Sequence, residues 1–274
     1  MRVCVFVCPQ ARVDPDQFGV SFCSIDGQRH AIGDSKTEFC IQSCCKPINY
    51  AIALEKHGHH VVDRHVGSEP SGRQFNAMSL NEHPKLPATT AVPHNPCINA
   101  GAIMTCALLN GDSVEARLNE VKAVWSQLGG TPNETTTHDE EVAMGESLTA
   151  NRNRCLAYMM AEEKALPEKT NIDETLEFYF RACSIQQDAE KMSVVAATLA
   201  NGGVCPVTNE RVFKEQTVRE VLSVMFTCGM YDYSGEFSYR MGFPAKSGKF
   251  VSVCVCVLVR VNMSWYHFWF LLLP

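Results

Sequence analysis

Two short motifs in this chain have the residue types for acyl transfer: Ser43-Cys44-Cys45-Lys46 and Lys246-Ser247-Gly248. A serine hydroxyl is a weak nucleophile at neutral pH until a neighbouring base takes its proton. In Ser-x-x-Lys the amine lies one helical turn on, on the same face, and Lys46 can act as that base if burial lowers its pKa. A helix N-terminus at Ser43 would aim the Ser43 backbone N–H at a developing oxyanion, and a strand carrying Lys246-Ser247-Gly248 would bring the second donor. Taken alone, Ser-x-x-Lys also fits a capping serine followed by a solvated lysine. The second motif favours catalysis, because the spacing lets the two meet across a helical insert.

The elements that must position these residues can be read from periodicity. Gly19 to Ile25 alternates and runs into Asp26-Gly27, a turn pair that tolerates positive φ, so Phe18 to Gly33 reads as a hairpin. From Ser43 the pattern turns helical, with Ile48, Ala51, Ile52 and Leu54 on one stripe, Pro47 in the opening turn and Gly58 as the stop. Gly67 to Pro96 is loop-rich, with the composition of a site-forming loop. Helices are expected at Ala100–Leu109, Val114–Leu128, Asn151–Ala165, Glu174–Cys183, Ala189–Ala200 and Glu215–Cys228. Glu236 to Gly242 and the Lys246-Ser247-Gly248 segment read as strands. Sheet, helical lobe, sheet is an α+β order.

Composition narrows the function classes. The chain has 274 residues, a net charge of -6 and a pI near 5.9, with no basic block, which argues against nucleic acid or an anionic membrane surface as partner. Its 14 cysteines are scattered, with no Cys-x-x-Cys pair and no zinc spacing, and read as reduced, mostly buried thiols. The apolar start Val3 to Cys8 is too short for a signal-peptide core, and Arg260, Asn262 and His267 interrupt the apolar end. Neither a membrane segment nor a transit peptide is therefore expected.

A series of ordered motifs goes further. Asp26-Gly27-Gln28-Arg29-His30, Gln42-Ser43-Cys44-Cys45-Lys46-Pro47, Glu69-Pro70-Ser71-Gly72, Pro93-His94-Asn95-Pro96, Asn99-Ala100-Gly101-Ala102-Ile103, Leu199-Ala200-Asn201-Gly202-Gly203, Cys228-Gly229-Met230-Tyr231-Asp232 and Pro244-Ala245-Lys246-Ser247-Gly248 closely resemble the animal phosphate-activated glutaminases of kidney or liver type. The likeness spans about Ala11 to Gly248. It implies the serine β-lactamase/DD-peptidase-like fold, an antiparallel sheet with a helical lobe, and hydrolysis of L-glutamine to L-glutamate and ammonia. Carried over by motif, it implies Ser43 as nucleophile, Lys46 as base and Tyr231 as a proton-transfer partner. It also implies that Asn99, Glu146, Asn153 and Tyr179 hold the substrate together with Ser43 and Tyr231. These types suit glutamine: Glu146 offers an anion to its ammonium, while Asn99, Asn153 and Tyr179 offer neutral hydrogen bonds. The resemblance further implies a homotetramer in mitochondria, activated by inorganic phosphate, with no metal and no organic cofactor.

The chain departs from the family pattern at three places. Val7 stands where the pattern has a functional tyrosine, Leu86 to Val92 is an apparent insertion, and the segment from Lys249 onward reads Lys-Phe-Val-Ser-Val-Cys-Val-Cys. Residues 1–10 are expected to be atypical, residues 11–248 the glutaminase-like domain, and residues 249–274 a tail in which the family's C-terminal strands and helix are missing. Val-Cys alternation at both ends is what a GTGTGT tract encodes, so translated non-coding sequence around a family core is the expectation there. Residues 250–259 are Val-rich enough to supply one strand. The rival expectation is a glutaminase-like subunit, catalytically impaired, that binds substrate or full-length partners.

Overall fold

The computed structural model describes residues 14, 16–82, 91–109, 111–248, 252–255 and 270–273. The expected hairpin is present: β1 (Gly19–Cys23) pairs antiparallel with β2 (Arg29–Gly33), turning at Gly27, whose φ is +83°. Strand β3 (Phe39–Cys40) ends two residues before a 3-10 turn, Gln42–Cys44, which carries Ser43 and runs directly into α1 (Cys45–His57). Every residue of α1 from Cys45 to Leu54 is buried, so this helix is the axis of the core rather than an amphipathic surface helix.

The chain continues through α2 (His59–Val62), a short pair β4 (Asn81–Glu82) and β5 (Ala91–Val92), and then α3 (Asn99–Leu108), α4 (Val114–Leu128), α5 (Glu140–Leu148), α6 (Asn151–Glu162) and α7 (Ile172–Cys183). Strand β6 (Gln186–Gln187) returns to pair antiparallel with β3, and the Ile41 N–H donates to the Ile185 carbonyl at 2.9 Å. The peptide entering the Ser43 turn is thereby tied to the peptide leaving α7. Then follow α8 (Ala189–Ala200), α9 (Glu215–Cys228) and α10 (Ser234–Met241). Helix α8 backs the hairpin through Cys23, Val194 and Ala197 and a Ser21 to Ser193 hydroxyl hydrogen bond of 3.0 Å. A last antiparallel pair, β7 (Ser252–Val255) with β8 (Phe270–Leu273), lies beside β1. One strand was expected in this Val-rich tail, and the second is an addition.

Two sequence expectations are corrected. Glu236 to Gly242 is helical, not a strand. Its apolar alternation, Phe237, Tyr239, Met241, does not mark a buried face: Phe237 is buried against Phe243 and Ala245, whereas Tyr239 is 91% exposed. A Glu236–Arg240 ion pair at helical spacing and a left-handed Gly242 (φ 74°) complete the helix. Lys246-Ser247-Gly248 belongs to no paired strand; it passes the end of α9, where the Ser247 N–H donates to the Gly229 carbonyl at 3.3 Å. Helix α5 escaped detection because only Ala143 and Gly145 of its residues are buried, leaving no apolar stripe to read. Helix ends otherwise move slightly, with α3 starting at Asn99, α6 stopping at Glu162 and α7 starting at Ile172. The described cysteines are free thiols and eight are buried, as expected. Among the described residues no helix is long and apolar enough to cross a membrane. Val7, residues 86–90 of the apparent insertion and Lys249 lie outside the described residues.

Asn99 owes its place to a close backbone approach at the start of α3. A Cβ on Gly101 would stand 1.9 Å from the Asn95 carbonyl oxygen, so only glycine lets α3 sit against the Asn95-Pro96 turn. Gly101→Ala should force that turn outward at a cost of about 1–3 kcal/mol, lowering Tm by roughly 3–10 °C. A thermal melt with Tm unchanged would show that the contact is not a constraint.

Candidate active site

Three buried or half-buried side chains from distant parts of the sequence converge on one phenol. Tyr231 stands in the 3-10 turn Tyr231–Tyr233 that follows α9, where Ser43 and Lys246 bear on its hydroxyl. Lys46, 1% exposed, donates to the Tyr231 hydroxyl at 3.4 Å, to the Asn99 Oδ1 at 2.7 Å and to the Cys97 carbonyl at 3.3 Å. Lys246 is wholly buried, with Nζ 3.9 Å from the centroid of the Tyr231 ring and donating to the Ser247 carbonyl at 2.9 Å. Burial of a phenol by itself disfavours its ionised form. Here the charges of Lys246 and Lys46, helped by Ser43, outweigh that burial, and the Tyr231 pKa lies below the ordinary tyrosine value. For Lys246, burial pulls the amine down, but Tyr231, Cys97 and Cys44 push it up more strongly, and the net shift is upward. The two directions agree, since each group stabilises the charged form of the other.

Local backbone is bent to make this meeting possible. Tyr231 has φ 54° and Gln42, immediately before Ser43, has φ 50°, both left-handed for non-glycine residues. Such conformations persist only where surrounding contacts over-determine them. At Tyr231 the Ser234 hydroxyl donates to the Tyr231 carbonyl (2.7 Å) and accepts from the Met230 N–H (3.0 Å). Gly229 contributes by absence: a Cβ there would stand 1.8 Å from the Ala245 carbonyl oxygen, the peptide just before Lys246.

The expected substrate residues extend from the same cluster. Because Lys46 donates to Asn99 Oδ1, the amide nitrogen of Asn99 faces the other way and donates to Asn153 Oδ1 at 2.9 Å. Tyr179, 4% exposed on α7, is pushed well above its ordinary pKa by burial first, and then by the charges of Cys183, Cys45, Tyr231 and Glu146. Beneath it the Cys45 and Cys183 sulfurs stand 3.6 Å apart, joining the first turn of α1 to the last turn of α7. Glu146, half-buried on α5, acts on Tyr179, Cys183 and Cys40 through its charge. The structure therefore brings Tyr231, Lys46, Asn99 and Asn153 into one hydrogen-bonded run, with Ser43, Tyr179 and Glu146 beside it.

Two neighbours were not singled out from the sequence. Lys246 was noted only as part of a motif supplying a backbone donor, whereas its own ammonium faces the Tyr231 ring. Phe75, from the expected site-forming loop, packs its ring 4.8 Å from that of Tyr231. A lone phenylalanine in a polar loop was the available signal for it.

Comparison with known proteins agrees with this picture. The family model described as Glutaminase matches residues 7–268. The mitochondrial liver isoform of glutaminase from Rattus norvegicus is 41% identical over 247 residues, 90% of this chain and 40% of that protein. A glutaminase of Nostoc sp. is 40% identical over 238 residues, 87% of this chain and 68% of its own length. Among solved structures, a Bacillus glutaminase superimposes with a TM-score of 0.78 at 34% identity, covering 86% of this chain and 76% of that one. Mglu in its tris and glutamate form gives a TM-score of 0.77 at 35% identity, over 87% of this chain and 51% of its own. This chain thus spans only 40% of the length of the liver-isoform relative.

The paired shifts have a spectroscopic consequence. In a difference titration of phenolate absorbance between the wild-type chain and Tyr231→Phe, one phenol should ionise below the ordinary tyrosine range. Lys246→Met removes the largest opposing charge, so the same ionisation should move up in pH. A Tyr231 titration that stays in place in Lys246→Met would show that this lysine does not set it.

Proposed function

This chain belongs to the glutaminase family, and from that premise we propose that it is an amidohydrolase that converts L-glutamine to L-glutamate and ammonia through a serine nucleophile. The observation that carries the reading is the hydrogen-bonded run Tyr231–Lys46–Asn99–Asn153, which links a phenol of lowered pKa to two amides, with Ser43 acting on the phenol. In the proposed reaction the Ser43 oxygen forms a bond to the side-chain amide carbon of glutamine while its proton passes to Tyr231. Lys46, hydrogen-bonded behind the phenol, completes the base, and Lys246 holds the phenolate in its charged form. Collapse of the tetrahedral intermediate breaks the C–N bond, the proton returns to nitrogen, and ammonia leaves. Water then cleaves the acyl-enzyme to glutamate by the same route in reverse.

The groups at the far end of the run suit the amino-acid head of the substrate. Glu146 supplies an anion for the α-ammonium, and Asn99, Asn153 and Tyr179 supply neutral hydrogen bonds. A buried site of this kind rejects analogues that leave its polar groups unpaired. The name of Mglu in its glutamate form is consistent with the proposed product. The reaction as drawn uses protein side chains only. Inorganic phosphate as activator, a homotetramer and a mitochondrial location are proposed on the family resemblance, the last also on the rat liver isoform.

Ser43→Ala should lower kcat/KM for glutamate release by roughly a thousandfold or more, with the far-ultraviolet circular dichroism unchanged. Equal turnover in wild type and Ser43→Ala would remove Ser43 as nucleophile. Turnover in neither, from folded chains that still bind glutamine, would favour a non-catalytic substrate-binding subunit.

A further inference from the structure

The helix that carries Glu146 is the least anchored helix of the site. Only Ala143 and Gly145 of α5 are buried, and they are its smallest residues, while Met144 and Leu148 are 65% and 58% exposed. Two such residues remove little apolar surface from water, so hydrophobic packing cannot hold α5 at one position along its neighbours. Polar contacts at its two ends must do so. At the N-terminal end the Asp139 side chain accepts from the Val142 N–H, and the exposed Glu140 carboxylate meets His138 at 2.8 Å and Arg181 at 3.7 Å.

At the C-terminal end the last-turn carbonyls have no partner within the helix and carry the negative end of its dipole. Thr149 covers part of this, its hydroxyl donating to the Gly145 carbonyl at 3.1 Å. Backbone N–H groups just past the helix end reach the Glu146 and Ser147 carbonyls, and a cation from the next helix adds to them: Arg154 Nη1 donates to the Ser147 carbonyl at 2.7 Å and Nη2 to the Ser147 hydroxyl at 3.3 Å. Ser147 directly follows Glu146, and Arg154 directly follows Asn153, whose side chain is already fixed by Asn99. One two-pronged contact therefore joins the residues adjoining the two groups proposed for the substrate head.

We propose that Arg154 is a positioning residue that, by clamping Ser147, holds the Glu146 carboxylate at the spacing from the Asn99–Asn153 amides that recognises the substrate α-ammonium. Arg154 touches no reacting atom in this scheme. Its planar fork suits the task better than a lysine, because two fixed donors define an orientation and a single ammonium defines only a distance. Catalysis at the amide carbon is remote from it, so the effect falls on binding of the ammonium and not on acyl transfer.

The inference rests on Glu146 as the ammonium partner, and the experiment separates the two. Full-length wild type, Arg154→Met and Arg154→Lys are assayed with L-glutamine and with glutaramate, the same amide lacking the α-amino group. Arg154→Met should raise KM for L-glutamine about tenfold, with kcat held within about threefold and kcat/KM for glutaramate unchanged. Arg154→Lys, which keeps the charge and one donor, should raise KM only about threefold, and it carries the test should Arg154→Met fail to fold. Equal losses on both substrates, or a lowered Tm with KM unmoved, would overturn the positioning role. A wild-type enzyme indifferent to the α-amino group would overturn the Glu146 reading and this inference with it.

Discussion

Two buried ammonium groups share one phenol, and most of the structure can be understood as what that arrangement requires. An ammonium removed from water loses solvation worth several kcal/mol or more, which is recovered only through well-made hydrogen bonds and an opposite charge nearby. Lys46 finds three oxygen acceptors, and Lys246 finds a carbonyl, the face of the Tyr231 ring and its hydroxyl. The phenol that can become an anion is thus the group that makes both lysines tolerable. Lys46 lies 185 residues from Tyr231 in the sequence, so folding the helical lobe between them is the precondition for burying it against the phenol.

The surrounding features serve that convergence. The β3–β6 pairing fixes the peptide that enters the Ser43 turn, and left-handed Gln42 turns the chain so that α1 begins at once. Gly229 lets the Ala245 peptide pass at contact distance, which delivers Lys246 beneath Tyr231. Cys44 adds a bond across the same gap, its thiol donating to the Lys246 carbonyl at 3.6 Å between residues 202 apart in sequence. Strain at Gln42 and Tyr231 sits on the two sides of the approach of Ser43 to Tyr231, where a relaxed backbone would pull the pair apart.

What the sequence made legible follows from which signals are local. Helices α4, α8 and α9 could be bounded to the residue because apolar stripes lie within them, and side-chain caps at Ser113 and Asp188 directly precede the first two. The Asp26-Gly27 hairpin was legible because its turn requires a particular backbone. Ser43, Lys46 and Tyr231 could be nominated from motifs, yet the order of contact could not: the motif suggests a direct serine–lysine pair, while the Lys46 ammonium is hydrogen-bonded to Tyr231, Asn99 and the Cys97 carbonyl. That order depends on α9 and the 3-10 turn at Tyr231 arriving over α1, a tertiary fact with no local trace. Helix α5 failed for the opposite reason, since its position is set by partners on α6 and α7 and not by its own apolar residues. The strand assigned to Glu236 to Gly242 failed because alternation was read without knowing that Tyr239 and Met241 face outward.

On the proposed reading the site is divided by the physics that holds each half. The nucleophile half is built on α1, whose first ten residues are all buried, so its geometry is fixed by close packing that transmits any volume change directly. The substrate-head half hangs on α5, where the restoring forces are hydrogen bonds to carbonyls and partly exposed carboxylates, each worth little alone and open to competition from water. A mutation of given size should consequently act differently in the two halves: within α1 it perturbs folding and chemistry together, whereas around α5 it can shift recognition of the substrate head and leave the acyl-transfer machinery intact. On that reading selectivity is the more easily altered property, and Glu146, half-buried on α5, is the point at which it would be exposed to change.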